Sequence, residues 1–86
     1  MRVRICSPLF SYTGQRADVE ARGATLAELT WDLEQQFPGI RFRMIDEQEQ
    51  IRPHLKIFIN STQAFDLPTP IAPNDVVTLV QAFSGG

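Results

Sequence analysis

One amphipathic helix pattern lies in the middle of this 86-residue chain, with strand patterns on both sides of it. Thr25 suits the helix N-cap, and Glu28, three residues on, can reach back to it as a capping box. Leu26, Leu29, Leu33 and Phe37 then fall on one stripe, the spacing by which a helix buries a single face. Pro38-Gly39 stops the pattern, which predicts helix over residues 26–37. Trp31 falls off the stripe; it is expected to cover a sheet edge or a loop and is given no role. A lone helix of this length cannot enclose a core, so it needs a sheet to lie on.

The flanks supply that sheet. From Arg2 to Cys6, Val3 and Ile5 face one way and Arg2 and Arg4 the other, the alternation of a half-buried strand. Pro8 ends that strand, and Ser11-Tyr12-Thr13-Gly14 has turn chemistry. A second short strand is expected over residues 17–21 with Val19 inward. After the helix, residues 40–52 mix Phe42, Met44 and Ile45 with the polar run Asp46-Glu47-Gln48-Glu49-Gln50. They are expected to form a connection holding a short element, tipped by an exposed turn. Strand character returns over residues 54–59, where Leu55, Ile57 and Ile59 alternate with His54, Lys56 and Phe58, and Asn60-Ser61 suits a tight turn. A minor strand is expected over residues 64–67, interrupted by Pro68 and Pro70. Pro73-Asn74-Asp75 reads as a turn before a β-branched strand over residues 76–82. The order predicts an α+β fold: a mixed sheet with one helix across one face. Its first and last strands would be parallel neighbours at the centre, since the crossover through the helix is long enough. Residues 1–86 are expected to form one domain with a flexible tail from about residue 82.

Composition narrows the function. An apolar fraction of 43% and a charged fraction of 21% describe a folded domain. The net charge is −2 and no basic run offers a phosphate-binding stripe, which argues against nucleic acid. Cys6 is the only cysteine, so there is no intrachain disulfide and no multi-cysteine metal site. No apolar run approaches a membrane span, and the first residues read as a strand and not as a signal peptide. The cytoplasm is the expected compartment, with no bound cofactor or metal.

The chemistry is expected at the end of the chain, which reads Phe83-Ser84-Gly85-Gly86 directly after the last strand. Two terminal glycines arise by chance in roughly 0.5% of chains at average glycine usage. A tail without side chains at its last two positions can thread a narrow channel and approach a reactive centre closely. The terminal carboxylate is ionised and unreactive near neutral pH. An ATP-using partner could convert it to an acyl adenylate, which a sulfur or nitrogen nucleophile would then displace.

The Ser11-Tyr12-Thr13-Gly14 turn, the helix capped at Thr25 and the Phe37-Pro38-Gly39 stop resemble the MoaD/ThiS family of sulfur carriers. So do Ile51-Arg52-Pro53-His54 leading into Ile57-Phe58-Ile59-Asn60, the Asn74-Asp75 turn and the terminal Gly85-Gly86. The resemblance implies the ubiquitin-like β-grasp fold. It also implies a protein co-substrate and not an autonomous enzyme, with Gly86 as acyl-adenylate and thiocarboxylate site. Gly85, Ser84 and Phe83 would be the tail residues inside a partner's channel. The implied partners are an E1-like adenylyltransferase that consumes ATP, a sulfurtransferase or persulfide donor, and a downstream sulfur-accepting synthase. Molybdopterin synthesis is the leading expectation for the acceptor, with cysteine, thiamine or specialised-metabolite sulfur transfer, or a ubiquitin-like modifier, as alternatives. Two departures stand out: Ser61 where many relatives have glycine, and Phe83-Ser84 where small residues often precede the glycines.

Other candidates have plainer readings. Cys6 is read as a structural cysteine, His54 as a partly exposed strand residue, and Asp46, Glu47 and Glu49 as a solvated turn in preference to a metal site. Phe58 and Val80 would face away from the helix and are expected to form a partner-docking patch on the open sheet face. Scattered surface hydrophobics are the ordinary alternative. A plain β-grasp binding module with an incidental tail is the remaining reading.

Overall fold

The computed structural model describes residues 1–81. Its strands are β1 (Arg2–Arg4), β2 (Asp18–Glu20), β3 (Leu55–Ile59), β4 (Thr62–Ala64) and β5 (Val76–Gln81), with helices α1 (Leu26–Gln36) and α2 (Ile40–Met44) between β2 and β3. The five strands form one mixed sheet in the order β2-β1-β5-β3-β4. As expected, β1 and β5 are parallel neighbours, and every other pairing is antiparallel. This is the β-grasp arrangement. Val3, Val19, Leu55, Ile57, Val77 and Leu79 are buried on one sheet face, together with Leu26, Leu29 and Leu33 of α1.

The start of α1 shows how local sequence fixes tertiary structure. A helix opens with four backbone N–H groups that have no partner within it. Here the Leu26 N–H donates to the Thr69 carbonyl and the Ala27 N–H to the Leu67 carbonyl, both at 2.9 Å. The Glu28 N–H donates to Thr25 Oγ1 at 3.3 Å, and the Leu29 N–H to the Thr25 carbonyl at 3.0 Å. The Glu28 carboxylate closes the capping box one residue early, accepting from the Ala24 N–H at 3.0 Å. The first three helical donors, at Leu26, Ala27 and Glu28, are therefore satisfied from outside the helix, and Leu29 makes its first internal bond.

The same bonds correct the minor strand expected over residues 64–67. The strand is β4, residues 62–64, and the carbonyls beyond it serve the helix instead of a ladder. Its register is set by the two-residue turn at Asn60-Ser61, which pairs Ile59 with Thr62. Among the described non-glycine residues, positive φ occurs only at Gln15, Glu49 and Asn60. Ser61 is thus spared the left-handed conformation that would require glycine.

Other expectations shift at their edges. β1 is shorter than residues 2–6, although the Ile5 N–H still reaches the Ala17 carbonyl at 2.8 Å. β2 is three residues long, and β3 begins at Leu55 and not at His54. Ser7–Tyr12 form a 3₁₀ helix, with Pro8 in its first turn where a missing N–H costs nothing. The turn expected at residues 11–14 therefore comes after it, at Gly14 and Gln15. α1 ends at Gln36 with Phe37 as its C-cap. Gly39, at φ 96°, turns the chain into α2, the short element expected in the 40–52 connection. Ala82, the expected end of the last strand, lies outside the described residues.

Candidate functional site

β5 is hydrogen-bonded on both sides, to β1 and to β3, and carries the chain to Gln81. Whatever follows Gln81 is therefore rooted in the centre of the sheet. Phe83, Ser84, Gly85 and Gly86, the expected tail site, lie outside the described residues.

The open sheet face beside this root is fixed by register. Residues directly opposite one another across a ladder share a face. Phe58 lies opposite Thr78, and Lys56 opposite Val80, so Phe58 and Val80 occupy the same face as diagonal neighbours. Val80 is 40% exposed and Phe58 is half-buried. The row through Phe58 continues to Gln63 on one side and to Thr78, Arg4 and Asp18 on the other. Arg4 and Asp18 stand 4.0 Å apart. The two apolar groups thus sit in a polar surround.

At the end of the sheet where β5 finishes, a cleft of about 450 Å³ is lined by Tyr12, Phe42, Arg43, Arg52, His54 and Gln81, among others. Arg43 Nε donates to the Tyr12 hydroxyl at 2.8 Å. Arg52 Nε donates to the Phe42 carbonyl at 2.6 Å, and its guanidinium lies 4.6 Å over the Phe42 ring. Sequence reasoning missed this cluster. Its basic residues lie on either side of the acidic 46–49 turn, so no run of charge announces them.

The remaining candidates have structural roles. Cys6 is half-buried, and burial pushes its thiol above the ordinary value, opposite to what a reactive thiolate needs. His54 is exposed and lies at the cleft. Trp31 is exposed on α1 beside the loop at residues 22–24, and the Arg41 guanidinium lies 3.8 Å over its ring. That arginine is only 7% exposed. It donates from Nε to Thr30 Oγ1 at 3.1 Å, and from both Nη atoms to the Glu49 carboxylate at 2.8 and 3.2 Å.

The turn at residues 46–50 is exposed over 47–50, as expected, and is tied down at two points. Glu49 anchors it to Arg41, and Asp46 Oδ1 accepts from the backbone N–H groups of Gln48 and Gln50. No cluster of potential metal ligands occurs among the described residues, and no described helix is long and apolar enough to cross a membrane.

The fold and the strand leading into a Gly-Gly end define a ubiquitin-like β-grasp protein. Its family is shown by direct comparison: the chain belongs to the ThiS family, whose model matches residues 3–86. It is 33% identical to the sulfur carrier protein CysO of Mycobacterium tuberculosis, with all of both chains covered. The crystal structure of M. tuberculosis CysO superposes with a TM-score of 0.90 at 31% identity, covering 95% of this chain and 98% of that one. The BexX/CysO complex of Amycolatopsis orientalis gives 0.90 at 30% identity, with 99% and 98% covered. The small archaeal modifier protein 1 of Haloferax volcanii shares the fold, with a TM-score of 0.76 at 23% identity over 99% and 97% of the two chains.

Proposed function

We propose that this chain is a sulfur carrier whose working group is the Gly86 carboxylate. The observation that carries the reading is the ThiS-family match, which runs through the terminal Gly85-Gly86. A carboxylate oxygen of Gly86 attacks the α-phosphorus of ATP on an E1-like adenylyltransferase, and pyrophosphate leaves. The terminal sulfur of a persulfide, supplied by a sulfurtransferase, then displaces AMP from the acyl carbon. A second thiol cleaves the resulting acyl disulfide and releases the thiocarboxylate. Gly85 gives the slender approach, Ser84 and Phe83 contact the channel, and Phe58 and Val80 dock the partner. The chain is a co-substrate throughout, and no cofactor of its own enters the cycle.

For the acceptor, the comparisons support the alternative over the leading expectation. The relatives at 30–33% identity are carriers named CysO, which favours sulfur delivery to cysteine or a specialised metabolite over molybdopterin.

The test is intact mass after incubation with the cognate adenylating enzyme, ATP and a sulfur source. The expected result is replacement of one oxygen by sulfur, trapped by an electrophile, retained in Cys6→Ala and absent when Gly86 is deleted. Adenylation without sulfur incorporation would point to a modifier, and no adenylation would point to a binding module with an incidental tail.

A further inference from the structure

We propose that the cleft beside Gln81 receives acidic side chains of the adenylating partner and so aligns the root of the tail with that partner's channel. The inference rests on the tail-based reading above and names the chemistry of the surface that reading requires.

Position comes first. Gln81 is a wall of the cleft, so a protein that encloses the residues after it must cover this surface. Charge comes second. Arg43, Arg52 and His54 line the cleft with no aspartate or glutamate among its lining residues, in a chain of net charge −2. The sign is locally inverted where the tail begins.

Preorganisation is the third argument. Each arginine is held through Nε, Arg43 by the Tyr12 hydroxyl and Arg52 by the Phe42 carbonyl. Neither takes part in an ion pair among the described residues. Their Nη groups are thus fixed in orientation and available to a carboxylate, the acceptor a guanidinium fork fits best. Opposite charge at the rim of such an interface speeds encounter and fixes register.

The experiment uses the full chain, its cognate adenylating enzyme and ATP–pyrophosphate exchange, comparing wild type with Arg43→Glu/Arg52→Glu. Reversal is expected to raise the KM for the carrier about tenfold or more at low salt, with kcat little changed. Wild-type KM should also rise with ionic strength, and the variant's should not. Arg43→Lys/Arg52→Lys should recover much of the loss. Circular dichroism and thermal melting report the fold, and the single change at exposed Arg43 serves if the double variant melts early. An unchanged KM at low and high salt would overturn the proposal. A lowered KM would overturn it too, assigning the cleft to the chain's own terminal carboxylate. Wild type that is not adenylated at all would sink the tail-based reading first, and this proposal with it.

Discussion

Gly23 carries no bound group and lines no ladder, yet its lack of a side chain holds the loop against α1. A Cβ placed there would lie 2.6 Å from the Leu29 backbone nitrogen and 3.0 Å from the Glu28 carbonyl carbon. Backbone cannot step aside as a flexible side chain would. Gly23→Ala should therefore cost about 1–3 kcal/mol of stability, read as a lower denaturant midpoint. Phe58 poses the opposite case, being half-buried on the open face and away from the α1 core. Phe58→Asp should leave the melting temperature close to wild type and slow adenylation markedly; unchanged adenylation would remove Phe58 from the docking surface. At this scale much was legible from sequence: Leu26, Leu29, Leu33, Val3 and Val19 are buried as their spacing required. Phe65 was not legible. It is 75% exposed, because its segment leaves β4 to serve the helix start.

Among the elements, α2 is the shorter of the two α-helices. Five residues do not form a stable helix in water, and two carboxylates from elsewhere hold this one. Glu34 on α1 accepts the Gly39 N–H at 2.9 Å and the Arg41 N–H at 3.0 Å. These two bonds hold its carboxyl below the ordinary range. A lowered folded pKa means stability that is present above the unfolded value and lost as pH falls through the folded one. Glu34→Gln should accordingly melt earlier than wild type near pH 7, with the gap closing as pH drops below about 4. A gap independent of pH would show that the carboxylate charge does not matter. Glu49 holds the other side through Arg41. Such support explains why residues 40–52 were hard to place from sequence: Arg41 alone depends on partners seven to eleven positions away. The capped α1, whose signals are local, was the easiest to read.

Among the described residues, three carboxyl groups are held below their ordinary values. Glu34 is lowered mainly by the Gly39 and Arg41 N–H groups, Glu49 by the Arg41 guanidinium, and Asp75 by the Ala72 N–H and the Asn60 side chain. All three act in the same direction, so the melting temperature should be flat above about pH 6 and fall below about pH 4.5. Hydrogen exchange should find β5 among the most protected elements, since it is the longest described strand and lies at the centre of the sheet, laddered on both sides. The parallel pairing of the first and last strands was legible because the crossover through the helix is long enough to allow it. The cleft was not, because it is assembled from the 3₁₀ helix, α2 and the start of β3, distant segments that only the fold brings together.

The parallel pairing of β1 and β5 has a mechanical consequence. The chain enters at one end of this pair and leaves at the other, so a pull between Met1 and the tail slides the two strands past each other along their length. In that geometry the ladder bonds share the load together; they are not peeled apart one by one. A force that draws the tail away from Met1 would then load this central pair in shear, the direction in which its ladder bonds resist together.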